Sequence, residues 1–231
     1  MIMEFTDALF PGVEMSDETV PPATTAKRYP ANLRPDNADN PIVLKANDRI
    51  DPTKLRPNSA YVYHDILYVT DCHGQIAYID AELQKVQNPS RLRDTTAQRR
   101  VGGKGARHDN MDAGHLVPIS LGSHPSMVVE QSSSFNRYLH GKNNYREDWQ
   151  QGMFRDLELD WSKQVARGDS VNVKAVYTQA DEDNPGTYSP EWCYQVENRT
   201  TNERFQYNMI NEAGAVRDEE VHGAHGIKKE L

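Results

Sequence analysis

The apolar positions of the chain fall into short runs of changing period, and the first patterned run begins only at Tyr61. Residues 1–58 hold no sustained period of 2 or 3.6, and stretches such as PPATTAKRYPANLRPDNADNP are rich in proline, aspartate and asparagine. That predicts a linker or wrapping arm, extended or weakly ordered. AYVYHDILYVTD and QIAYIDAEL then flank DCHG and alternate in part, with many β-branched and aromatic residues. The pattern predicts a β-hairpin turning near His73 and Gly74. A long polar connection follows, from LQKVQNPSRLRDTT to the glycines of VGGKGARHDNMDAG.

HLVPISL and SMVVEQSS predict two short strands on either side of GSHP. Phe135, Leu139 and Trp149 fall loosely on one face, so a helix is expected from Phe135 or Asn136 to about Gln151, with SSS supplying N-cap residues. FRDLELDWSKQVARG predicts a second helix that stops at Gly168. DSVNVKAVYTQ, EWCYQVENRT and ERFQYNMIN read as strands of a closing antiparallel sheet, and EAGAVRDEEVHGAHGIKKEL reads as a polar tail. No internal repeat is visible. The expected class is α+β: an arm over 1–58, a domain over 59–212 and a tail over 213–231.

Composition narrows the picture. At 231 residues the chain is long enough for a real core, but only 37% of residues are apolar, which suits a smaller core with loop-rich surroundings. No apolar run approaches the ~20 residues that span a bilayer, so membrane insertion is not expected. The start, MIMEFTDALFPGVEMSDETV, is acidic and interrupted, unlike a secretory signal. Cys72 and Cys193 lie far apart and fit neither a disulfide framework nor a cysteine zinc site; they read as ordinary thiols. The formal net charge of −8 runs against nucleic-acid binding, although lysine and arginine concentrate between residues 85 and 107 as a local basic strip.

The chemistry gathers around RHDNMDAGHLVP, residues 107–118. His108, His115, His124 and His140 suggest zinc, but their spacings of 7, 9 and 16 lack the close pair that such sites use. A second reading takes His115 at the end of a glycine-rich approach and Asn136 at a helix start. A strand hairpin followed by a helix brings such residues face to face. Neutral imidazole accepts a proton from water, and an amide oxygen is a hard ligand for Mg²⁺, a pairing that suits phosphodiester hydrolysis. A histidine beside an aspartate is also a common hydrogen-bonded structural residue, and spacing alone leaves both readings open.

Five segments in one order, YVTDCHGQI, QRRVGGK, NMDAGHLVP, VVEQSSSFNR and YREDW, carry a resemblance. Over roughly Tyr61 to Asn211 the chain resembles the DNA/RNA non-specific endonucleases, members of the ββα-metal (His-Me finger) nucleases. It looks closest to the bacterial branch found as C-terminal domains of secreted polymorphic toxins. The resemblance implies a ββα-metal core with an antiparallel sheet and flanking helices. It implies an endonuclease dependent on Mg²⁺ (or Mn²⁺), with DNA as substrate, RNA as a second one, and little base preference. His115 then stands as general base and Asn136 as metal ligand.

The setting implied is a toxin secreted or delivered into a target cell, held inactive in the producer, with a cognate immunity protein as partner. The chain departs from the family where a glutamate is common in the helix after the asparagine. Arg146 stands there, and the nearest acids, Glu147 and Asp148, point about 100° and 200° further round a helix. Glu147 is carried as the second candidate metal residue. A catalytically degenerate member that binds nucleic acid or protein is the alternative.

Helpers follow. Asp112 is placed to fix His115 or to cap its turn. Arg99 and Arg107 are candidates to hold the scissile phosphate through bidentate guanidinium contacts, with Arg100, Gln131 and Arg137 as further substrate contacts. His108 and His140 read as surface residues, and Trp149 and Trp161 as core anchors.

Overall fold

A computed structural model describes Pro30 and residues 33–102, 111–132, 136, 154–178 and 191–210. The class is mixed α+β, dominated by a large and mostly antiparallel sheet. Seven strands among the described residues run in the order β1-β2-β3-β4-β7-β8-β9, with β5 (Met111–Gly114) and β6 (Val129–Ser132) forming a separate antiparallel pair. β1 is Ile42–Val43, β2 Ala60–Tyr63, β3 Ile66–Thr70, β4 Ile76–Glu82, β7 Val171–Thr178, β8 Glu191–Asn198 and β9 Glu203–Ile210. Only β1 joins its neighbour in parallel.

The expected hairpin around DCHG is present, and its turn is set by Asp71, whose carboxylate accepts from the His73 and Gln75 amides. Its first arm is, however, two strands. AYVYHDILYVTD folds back at His64–Asp65, where Tyr63 faces Ile66 and His64 adopts φ 50°. The polar pair between two apolar runs was the signal, weaker than an Asn-Gly dipeptide. All five β3 residues are buried because both faces of the sheet are covered, so alternation fades there.

The principal core lies on one face, where Tyr68, Ile79, Val173, Ala175, Trp192 and Tyr194 meet a helix, α2 (Phe154–Ala166). Phe154, Leu157 and Trp161 fall on one side of α2 and are buried. Phe154, Trp161 and Tyr194 form an aromatic triangle with centroids 5.6–6.0 Å apart. The helix stops as expected: Gly168 takes φ 90°, with Asp169 N–H on Gln164 O and Gly168 N–H on Val165 O. On the opposite face Ala60, Leu67, Val69, Tyr78, Val176 and Cys193 pack with Leu33 and Val62.

Residues 33–58 wrap against the sheet. Leu44 and Leu55 enter the core, and the Asn37 carboxamide exchanges two hydrogen bonds with the Ala60 backbone, 2.6 and 3.0 Å. The long polar connection proves to hold a 3-10 turn, Pro89–Leu92, and a helix, α1 (Thr95–Val101). Asp94 caps α1, accepting from the Thr96 and Ala97 amides at 3.0 Å each. Ala97 and Val101 bury against Val128 and Ala113. A seven-residue helix with two apolar contacts leaves too faint a period to read from sequence.

The strand expected over HLVPISL is displaced. β5 is Met111–Gly114, and Ile119–Leu121 is a 3-10 turn instead. Pro118 has no N–H for a ladder, and Leu116, Val117 and Leu121 are apolar because they plug the core. β6, Val129–Ser132, matches the second expected strand. Of the helix expected from residue 135 or 136, Asn136 is described and is helical; Leu139 and Trp149 lie outside the described residues, as does the tail. Neither cysteine forms a disulfide among the described residues; Cys72 is exposed and Cys193 buried. Among the described residues no helix is long and apolar enough to cross a membrane.

Candidate active site around His115

His115 leaves β5 where the chain turns from the β5–β6 pair into the core-plugging segment. The residue is half-buried, and its ring Nε2 lies 3.2 Å from the Pro125 carbonyl oxygen. Burial lowers the imidazole pKa to about 4; the Pro125 carbonyl opposes this, and the charges of Arg93 and His124 add to it. His115 is therefore neutral across the physiological range. A carbonyl oxygen can only accept, so the proton sits on Nε2, and Nδ1 keeps its lone pair.

The carbonyl that fixes this arrangement belongs to a buried loop, Ser123–Ser126. Tyr68 Oη lies 3.0 Å from Ser123 Oγ and accepts the His124 amide at 3.0 Å. His124 donates from Nε2 to Lys45 O (3.0 Å) and accepts the Ser126 amide at Nδ1 (3.2 Å). Burial lowers its pKa as well, against the Lys45 carbonyl and Asp48. His124 is thus a fully partnered structural residue. Ser126 Oγ donates to Asp94 Oδ2 at 2.7 Å.

The flank of β5 explains one glycine. β5 and β6 pair Asp112 with Gln131 and Gly114 with Val129. A Cβ on Gly114 would overlap the Gln131 carboxamide and come 2.8 Å from Asn136 Oδ1. Glycine is what admits both carboxamides against the β5 backbone at residue 114, next in sequence to His115. Gln131 is fully buried; its Nε2 makes a long 3.5 Å contact to His115 O, and its Oε1 has no hydrogen-bond partner among the described residues. An orphaned buried acceptor calls for an explanation.

These residues fit a hard divalent cation. Asn136 Oδ1 and Gln131 Oε1 are neutral oxygens converging on the space that Gly114 leaves, the donor chemistry of a Mg²⁺ that keeps most of its waters. Among the described residues no group of three or more His, Cys, Asp or Glu side chains could hold a metal.

The other expected residues fall as follows. Asp112 is buried on β5, opposite Gln131. Arg99 and Arg100 are exposed on α1, and Arg100 is paired with Asp51 at 2.9 Å. Arg107, Arg137 and Glu147 lie outside the described residues, with His108, His140, Arg146 and Asp148. Trp161 is a buried core anchor. The sequence reading passed over Arg93, which is exposed and acts electrostatically on His115, and over the Asp94–Ser126–Pro125 support. A signal existed for one of these: DTTAQ is an N-cap followed by helix formers.

Comparison with known proteins returns no matching family model and no matching curated protein. Among solved structures the chain is similar to NucA from Streptococcus agalactiae with magnesium ion bound, at TM-score 0.45 and 13% identity over 68% of this chain and 85% of that one. It is similar also to NucA of the same organism with no metal bound, at TM-score 0.43 and 13% identity over 77% and 79%.

Proposed function

We propose that this chain is a divalent-cation-dependent phosphodiester hydrolase, a nuclease, in which His115 is the general base and Asn136 holds the cation. The observation that supports it best is a neutral, carbonyl-held imidazole at His115 that directly follows Gly114, the residue against which two carboxamide oxygens pack. The pairing of β5 with β6, followed by helical Asn136, supports a ββα-metal core.

On this reading His115 Nδ1 takes a proton from the attacking water while Pro125 O holds the other nitrogen. The water oxygen bonds to phosphorus and the bond to the 3′ oxygen breaks. Asn136 Oδ1 would hold the cation, and Gln131 Oε1 would accept from its water shell. Bound Mg²⁺ or Mn²⁺ supplies positive charge for the phosphate and the leaving oxygen. Arg93, whose charge acts on His115, is the exposed arginine proposed to attract the phosphate. The resemblance extends the proposal to DNA, with RNA as a second substrate, and to a delivered antibacterial toxin with an immunity partner.

The test is plasmid degradation with Mg²⁺, with and without EDTA, by wild type and His115→Ala. The reading expects cation-dependent cutting that falls about 10²–10⁴-fold in the variant. Plasmid left intact by wild type under Mg²⁺ and Mn²⁺ would overturn it in favour of a non-catalytic binder.

A further inference from the structure

We infer that Ser126 and Asp94 are positioning residues for His115, setting its tautomer and ring angle through the Pro125 carbonyl. The inference builds on His115 as base and goes beyond it, to the buried carboxylate of Asp94. Asp94 uses both oxygens. Oδ1 takes the two α1 amides, and Oδ2 takes the Ser126 hydroxyl at 2.7 Å, a short charge-assisted bond. Ser126 is the residue after Pro125, so this bond pins the C-terminal side of the carbonyl that His115 uses.

The N-terminal side is pinned independently. His124 is held by Tyr68 Oη at its amide and by Lys45 O at its ring, and its Nδ1 receives the Ser126 amide. The Pro125 peptide is therefore clamped between two anchored residues, with proline restricting its own φ. A loose carbonyl would let His115 sample the Nδ1–H tautomer, which has no lone pair for the attacking water. One hydrogen bond of about 1 kcal/mol biases two tautomers only about fivefold, so its rigidity matters as much as its presence. Asp94 couples that rigidity to the first turn of α1, whose far end, at Gly102, abuts the Asp112–Ala113 backbone of β5.

The test uses ¹⁵N chemical shifts of the His115 ring in the full chain, beside single-turnover cleavage. Ser126→Ala deletes the Asp94 link and keeps the α1 cap; Asp94→Asn keeps a capping oxygen and removes the charge. Asn198→Ala, at the far end of β8, controls for general loss of stability, because it breaks the contacts to Gln164 and Asp169. The expected result is a predominant Nε2–H tautomer in wild type and in Asn198→Ala. Ser126→Ala should bring the two tautomers to comparable populations, which alone costs kcat about twofold, and the freed ring angle should carry the fall in kcat to about 10-fold or more with KM nearly unchanged. Asp94→Asn should move both readouts the same way by less, and it decides the matter if Ser126→Ala does not fold. Wild-type tautomer ratios in the folded variants would overturn the inference. A shifted tautomer in a chain whose wild type cuts no nucleic acid would uphold the positioning and overturn the nuclease reading alone.

Discussion

The Nε2 of His115 and the carbonyl oxygen of Pro125, ten residues apart, lie 3.2 Å from one another, and this contact decides which ring nitrogen is free for chemistry. The partner is a main-chain atom, so no side-chain substitution at residue 125 removes it. The loop can be disturbed through its anchors, through the φ restraint of Pro125 or through protonation of the histidines.

Acid should weaken the fold. His115 and His124 both have folded pKa values below the ordinary 6.5, His115 at about 4. Between those values the unfolded chain binds protons that the folded chain refuses, so stability is full above about pH 6.5 and falls as pH drops toward 4. Thermal unfolding should show Tm falling over that window. His115→Gln should flatten part of the slope, and an unchanged slope would count against the neutral buried ring.

Gly114→Ala tests the space beside His115. The added methyl overlaps the Gln131 carboxamide, a cost of about 1–3 kcal/mol if the neighbours give way. Cleavage should fall further than that stability loss explains, because Asn136 Oδ1 is displaced too. A folded variant with wild-type activity would remove Asn136 from the site.

Gln131→Leu separates a structural role from a cation role by sign. Oε1 is buried without a partner, so an apolar replacement should leave Tm unchanged or raise it. If Oε1 serves the cation's water shell, the Mg²⁺ concentration for half-maximal cleavage should rise about 10–100-fold. A lower Tm with unchanged Mg²⁺ dependence would make Gln131 a packing residue.

The sheet was largely legible because its strands carry β-branched and aromatic residues at period 2. α2 was legible because Phe154, Leu157 and Trp161 repeat at helical spacing before Gly168. α1 was missed because its end-to-end support comes from Asp94 and two small contacts rather than from an apolar face. His115 and Asn136 stood out through motif order, and the structure sets Asn136 Oδ1 beside Gly114, the residue before His115. Arg93 escaped notice because nothing local distinguishes it from the solvated arginines around it. Its relation to His115 arises from tertiary folding that brings Ser126 to Asp94.

Arg93→Ala should raise KM about tenfold and reduce the salt slope of DNA binding by about one, since an exposed arginine on a phosphate acts through counterion release. Arg100→Ala, whose guanidinium is already paired with Asp51, should change KM less. Equal effects of the two would deny Arg93 a particular role.

The most direct measurement is the pH dependence of kcat/KM for DNA cleavage in Mg²⁺, which reports the free enzyme's essential base. With His115 held neutral by burial, the profile should stay flat from neutral pH to about 5 and break near 4, and the break should vanish from the residual activity of His115→Ala. A break near 6.5, or one that persists without His115, would contradict the account.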